Sequence, residues 1–220
     1  MGTREFYRRH LPHYHPEYGK FHIVFRLDGS LPQEVVQRLK QEREERGRYL
    51  SVATNLQKRH ELLLEYRKEY FEKFDSLLDA AETGPRWLAQ DSIAQIIVDA
   101  MLKRDRNDYD LVAYTVMPNH VHLIINTEDL GRGSSRQRIV AETSVERVCR
   151  LLKGATAYAC NRALNRSGQF WQHESYDHLI RSDEELERTI WYVLNNPVKA
   201  GLVATWQQWR WNYVKPEFLL

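Results

Sequence analysis

The amino-acid sequence predicts an α+β domain: a central antiparallel sheet with helices packed on one face, plus a charged helical insertion. Three observations predict it. Short runs rich in β-branched and aromatic residues, Phe21–Leu27, Tyr109–Met117 and the His-x-His run His120–Asn126, alternate with longer segments of helical periodicity. The second and third runs are separated by Pro118-Asn119, a turn pair that folds neighbouring strands back on each other. Neither an internal repeat nor a Gly-rich phosphate loop interrupts this order.

Taken in order, residues 1–19 carry Arg, His, Tyr and Pro and read as an irregular arm. Phe21–Leu27, FHIVFRL, alternates and makes the first strand, and Asp28-Gly29-Ser30 is a turn. From about 33 to 82 the chain is helical and strongly charged, with Leu62, Tyr66, Tyr70, Phe74 and Leu77 at helical spacing. This segment reads as an amphipathic hairpin whose charge runs face solvent. Thr83-Gly84-Pro85 ends it, and Asp91–Leu102 forms a further amphipathic helix capped at or just before Asp91. Tyr109–Met117 is apolar on both parities, which suits a central strand.

Ser144–Leu164 carries a helical stripe of Val148, Leu151, Leu152, Ala155, Tyr158 and Ala159, and opens with Ser-x-x-Arg rather than a full capping box. Phe170–Ile180 reads as extended and aromatic. Ser182 and Glu185 form a Ser-x-x-Glu capping box for a last helix through Leu186, Ile190 and Val193. Asn196-Pro197 closes that helix, because a residue before proline disfavours the helical region. The tail, with Trp206, Trp209 and Trp211, reads as a docked C-terminal segment. Residues 1–220 are thus expected to form a single domain with an N-terminal arm, 1–19, and a helical insertion, about 33–82.

Composition narrows the setting. No apolar run approaches the ~20 residues of a membrane span. The first twenty residues hold no apolar leader, and Phe6 stands where a myristoylation pattern wants a hydroxyl. Cys149 and Cys160 share one helical segment and give no disulfide framework, so a reducing cytoplasm is expected. The net charge of +2, from 32 Lys+Arg and 30 Asp+Glu, hides segregation. Arg4, Arg8, Arg9, Lys20 and Arg26 load the N-terminal part, and Arg132, Arg136 and Arg138 load the loop GRGSSRQR that follows the histidine strand; Arg8, Arg9, Lys20 and the three loop arginines stand out among them. Those basic residues are the candidates for meeting nucleic-acid phosphates.

The chemistry-bearing stretch is Met117–Asn126, MPNHVHLIIN. In a strand, residues i and i+2 share a face, so His120 and His122 stand beside Ile124 while Val121, Leu123 and Ile125 face the core. Two imidazoles so placed are close enough to hold one divalent cation. On the last helix Tyr192 and Asn196 are four apart and therefore neighbours, at the flank of the core stripe.

PNHVHLII, FWQHESYDHLIR and YVLNNPVKAGLV, in that order and with FRLDGSLP upstream, resemble the REP-associated tyrosine transposases, relatives of the HUH single-tyrosine transposases. The resemblance runs from Phe21 to Val203; the helical segment at 38–82 is longer than in the compact members, and no function carries onto it. It implies an RRM-like or palm-like antiparallel sheet with the His pair on a central strand. It also implies a metal-dependent enzyme that cleaves and rejoins single-stranded DNA near hairpins. The HUH motif falls on His120-Val121-His122, the nucleophilic tyrosine on Tyr192, and the polar metal ligand one turn later on Asn196.

The implied chemistry is attack by the Tyr192 hydroxyl on a phosphodiester, giving a 5′-phosphotyrosine and a free 3′-OH. The cation would be Mg²⁺ or Mn²⁺; imidazole favours the transition metal, whereas Mg²⁺ prefers oxygen. His178 and His173 are spare candidates for a ligand or for positioning the phosphate. A histidine-triad hydrolase is set aside because the third position is Ile124. The other reading is a non-catalytic nucleic-acid-binding module of the same fold. Partners are expected to be DNA hairpins in the nucleoid, without a membrane, and the protein a monomer or, if tyrosine is donated in trans, a homodimer.

Overall fold

The computed structural model describes residues 6–8, 12–14, 16, 18–51, 56–81, 83–128 and 143–219. It comprises two compact units, one built from Met1–Asp28 with Arg86–Leu220 and the other from Gly29–Pro85.

In the first unit, β1 (Phe6–Arg8) and β2 (Pro12–Tyr14) pair as a small antiparallel ribbon. The arm is therefore not irregular throughout: Phe6, Tyr7 and Tyr14 are strand-forming residues, and their backbone takes that conformation. The main sheet follows, from β3 (Lys20–Arg26), β4 (Asp110–Val116), β5 (His120–Asn126), β6 (Tyr176–Ile180) and β7 (Asn212–Val214). Its spatial order is β6-β3-β5-β4-β7, with every neighbouring pair antiparallel. Helix α3 (Asp91–Arg104) links β3 to β4, and α4 (Ser144–Ala163) links β5 to β6. The result is the β-α-β-β-α-β arrangement, α+β in class, with the histidine strand central.

Strand parity sorts the core. Val121, Leu123 and Ile125 point to the face where Ile93, Ile97 and Met101 of α3 and Val148 and Leu152 of α4 pack, and all of them are buried. Burying each such side chain is worth about 1.5–3 kcal/mol over leaving it exposed. The two crossover helices thus cover one face, as expected. The other face is covered in part as well, by α5 (Asp183–Lys199), whose Leu186, Ile190, Val193 and Leu194 meet Ile124, Ile180 and Val214. A register shift in β4 between Leu111 and Ala113 lets both Val112 and Ala113 join this second core. That bulge is one reason the strand reads as apolar on both parities.

Two helix ends differ from the expectation. The N-cap of α4 is Thr143, not Ser144: Thr143 Oγ1 accepts from Glu146 N (3.3 Å) and Glu146 Oε2 accepts from Thr143 N (3.0 Å), a full capping box one residue upstream. Thr143→Ala is expected to cost about 1 kcal/mol, read as a lowered midpoint in urea unfolding at unchanged slope. Helix α5 runs through Pro197 to Lys199 instead of stopping at Asn196. The proline lies in its last turn, and backbone bonds from Ala200 N to Asn196 O (2.9 Å) and Leu202 N to Pro197 O (2.9 Å) close the end beyond it. No helix among the described residues is long and apolar enough to cross a membrane.

The second unit contains α1 (Gln33–Ser51) and α2 (Leu56–Asp79). Leu31, Leu78 and Ala81 form its core with Val36, Phe74 and Leu77 against them, and Lys73 Nζ donates to Glu42 Oε2 at 2.6 Å between the helices. Its two ends meet at Gly29 and Gly84, both in the left-handed region (φ 73° and 94°). A Cβ on Gly84 would lie 2.5 Å from the Gly29 carbonyl oxygen, so only glycine permits this approach.

Candidate active site

The site stands on the sheet face that α5 partly covers. Register places His120 and His122 of β5, His22, Val24 and Arg26 of β3, Thr115 of β4, and Tyr176 and His178 of β6 on that one face. The β4–β5 turn holds the pair's upstream end: Met117 N donates to His120 O (2.9 Å) and Leu27 N to Asn119 O (2.9 Å). Both histidines are fully buried.

The ring nitrogens converge. His120 Nε2 and His122 Nε2 are 2.9 Å apart. Two nitrogens each bound at about 2.1 Å and at right angles to one ion would be about 3.0 Å apart, so the spacing fits two adjacent coordination positions. The outer nitrogens are held too. His120 Nδ1 lies 2.7 Å from Asn119 Oδ1, an acceptor, so Nδ1 carries the ring proton and Nε2 presents its lone pair. His122 Nδ1 lies 3.2 Å from His22 Nε2. Thr115, opposite His122 in register, keeps a buried hydroxyl with no hydrogen-bond partner among the described residues. Two imidazoles and an unsatisfied hydroxyl oxygen are a donor set that suits a divalent cation. Arg26, 6% exposed, sits opposite His120 and brings positive charge to the same face.

Helix α5 brings the tyrosine. Ser182 Oγ caps the helix by accepting from Glu185 N (3.2 Å). The return half of the expected box is absent, because the Glu185 carboxylate is used elsewhere. It accepts from Arg181 N (2.7 Å) and pairs with His178 Nε2 (2.8 Å). Burial pushes the Glu185 carboxyl up, but these two hydrogen bonds outweigh it and hold the group below its ordinary range. From that anchored start, the helix sets the Tyr192 ring edge-on to His122, with centroids 6.1 Å apart, and to His22, at 6.4 Å. Lys199 Nζ lies 5.5 Å from the Tyr192 ring. Asn196, one turn on, is buried.

The other candidates are spread. His178 shares the face but is engaged by Glu185; His173 is exposed, and its backbone carbonyl accepts from Lys153 Nζ (3.1 Å). Lys20 Nζ donates to Asp183 Oδ1 at 2.7 Å, and that hydrogen bond and charge draw the Asp183 carboxyl below its ordinary range. Arg9, Arg132, Arg136 and Arg138 lie outside the described residues, as does the side chain of Arg8. Two other sheet tyrosines could compete as nucleophiles, Tyr114 and Tyr176; Tyr114 is on the opposite face, stacked on Tyr213 with centroids 5.4 Å apart, and burial pushes its phenol up to about 12. Tyr176 is on the site's own face.

Sequence reasoning missed His22, Arg26 and Thr115. Parity alone puts His22 and Arg26 on one side of FHIVFRL, so the signal was there, but the register that sets Arg26 opposite His120 and His22 diagonal to His122 is not written in any one segment.

No family model matches the chain. A Haemophilus influenzae protein provisionally named a REP-associated tyrosine transposase is 29% identical over 101 residues, 46% of this chain and 56% of that protein. The chain thus spans little more than half the length of this curated relative. The solved structure of a REP-associated tyrosine transposase bound to a REP hairpin superposes with a TM-score of 0.51 at 18% identity, covering 94% of this chain and 80% of that one. The sequence similarity over 101 residues and the shared fold point the same way: the chain is similar to REP-associated tyrosine transposases.

Proposed function

We propose that this protein is a metal-dependent endonuclease and transposase that cleaves and rejoins single-stranded DNA beside hairpins through a 5′-phosphotyrosine. The observation that carries the reading is the placement of Tyr192, edge-on and 6.1 Å from His122, whose Nε2 meets that of His120 at 2.9 Å. A nucleophile beside a convergent donor pair on a buried face is what strand transfer requires and what a packing tyrosine does not.

His120 and His122 would hold the cation, Mg²⁺ or Mn²⁺, with Asn196 the third ligand that the family resemblance implies. Once bound, the cation supplies Lewis-acid charge to a phosphodiester oxygen and to the leaving oxygen. The chain's own residues do the rest. Asn119 fixes the ring of His120, and α5 sets the direction from which the Tyr192 hydroxyl approaches phosphorus. As the Oη–P bond forms, the P–O3′ bond breaks. The phenol gives up its proton and the departing 3′-oxygen gains one, so no hydrolytic water is consumed and the link can be reversed. Tyr192 stands beside the His pair of its own chain, which supports attack in cis. The setting is cytoplasmic, on nucleoid DNA. Incubation with single-stranded hairpin oligonucleotides and Mn²⁺ tests the reading, as a covalent DNA adduct on a denaturing gel.

Arg132, Arg136 and Arg138, with Arg8, Arg9 and Lys20, are the proposed phosphate contacts. Replacing the three loop arginines with Gln is expected to weaken hairpin binding and to reduce the slope of log affinity against log salt by about 2–3. Filter binding across a salt series measures it. An unchanged slope would assign the contacts to other basic residues.

A further inference from the structure

His22 is 3% exposed, and nothing in the proposed strand transfer uses it. It lies between the two halves of the site. Its ring is stacked on His122 (centroids 5.4 Å, interplanar 17°) and edge-on to Tyr192 (6.4 Å). Its Nε2 stands 3.2 Å from His122 Nδ1.

That hydrogen bond has a chemical consequence. His120 carries its proton on Nδ1, facing Asn119, so its Nε2 is the unprotonated ring nitrogen. The 2.9 Å between the two Nε2 atoms then has two satisfying arrangements. In the first, His122 donates from Nε2 to His120 and its Nδ1 accepts from His22. In the second, both Nε2 lone pairs would be turned to a cation, the His122 proton would sit on Nδ1, and Nδ1–H would donate to His22 Nε2. The imidazole of His22 can donate in one arrangement and accept in the other from the same atom, by changing tautomer with no change of charge. A leucine could do neither; a glutamine, by turning its amide, could do both.

We infer that His22 is a positioning residue that holds His122 in the tautomer presenting Nε2 to the cation. The inference rests on the proposal that His120 and His122 bind one. Outer hydrogen bonds of this kind orient ligand imidazoles, and their loss typically weakens metal binding about 10–100-fold.

The test is Mn²⁺ binding by the full chain without DNA, followed by electron paramagnetic resonance. Four proteins are compared: wild type, His22→Leu, His22→Gln and His120→Ala/His122→Ala. His22→Leu should bind Mn²⁺ about 10–100-fold more weakly, with hairpin affinity unchanged. His22→Gln should recover affinity to within about threefold of wild type, because its amide offers both donor and acceptor. Wild-type affinity in His22→Leu, with loss in the double variant, would remove the role of His22 and leave the cation site standing. Equal binding by wild type and the double variant would remove the cation site and His22 with it. Should the leucine variant fail to fold, ¹⁵N spectra of wild-type histidine rings with diamagnetic Mg²⁺ decide the matter. The His122 proton is expected on Nδ1, coupled to His22 Nε2; a proton retained on Nε2 would overturn the inference.

Discussion

Tyr192→Phe is expected to form no covalent DNA adduct, with cleavage reduced at least ~10³-fold, while the protein stays folded and binds the same hairpin. The change removes one oxygen and leaves the ring. Tyr192 is only half-buried, packed beside the α5 core rather than within it, so phenylalanine retains its contacts with His22 and His122. A purely structural tyrosine would give the opposite result, a nearly silent substitution. Thermal unfolding, hairpin binding and a denaturing gel on the same preparation separate the two. An adduct that persists and maps to Tyr176 would move the nucleophile to β6 while keeping the reaction class.

The His120→Ala/His122→Ala double variant is expected to lose cleavage by a comparable factor, about 10³ or more, with hairpin affinity changed little. Affinity in this reading comes from phosphate contacts elsewhere, whereas the imidazole pair acts on one scissile phosphate. The variant leaves Asn119, His22 and Thr115 around a space of two missing rings, so some loss of stability accompanies it. Single substitutions to Asn guard against that: each keeps a polar side chain while displacing the donor atom. Cleavage at the wild-type rate in the double variant would remove the cation from the mechanism.

How far the sequence foretold this site depends on the kind of information each part needs. The His pair was legible because a strand has a period of two, so His120 and His122 had to share a face opposite Val121, Leu123 and Ile125. Tyr192 and Asn196 were legible as neighbours because four residues make about one helical turn. The register was not. Which residue of FHIVFRL stands against which residue of HVHLIIN is set by the tertiary fold, and so His22 and Arg26 passed for members of an alternating strand. Local end signals were legible but ambiguous. Thr143 and Ser144 can both cap a helix, and the one with Glu three residues on, Thr143, holds the box. Ser182 and Glu185 matched the same pattern, yet Glu185 turned to His178, a residue four positions before the cap and unforeseeable as its partner. Pro197 failed to stop α5 because a proline in the final turn forfeits one hydrogen bond, while its ring is buried with the core stripe.

The central claim is that the Tyr192 oxygen becomes bonded to DNA, and the most direct measurement is its chemical detection. Wild-type protein is incubated with a single-stranded hairpin oligonucleotide and Mn²⁺, digested with nuclease and protease, and sequenced by tandem mass spectrometry. The account predicts a nucleotide joined through its 5′-phosphate to Tyr192, with a free 3′-OH on the released strand. Unmodified Tyr192 in every digest, under Mg²⁺ and Mn²⁺ alike, with the hairpin bound but intact, would contradict it and leave a nucleic-acid-binding module in its place.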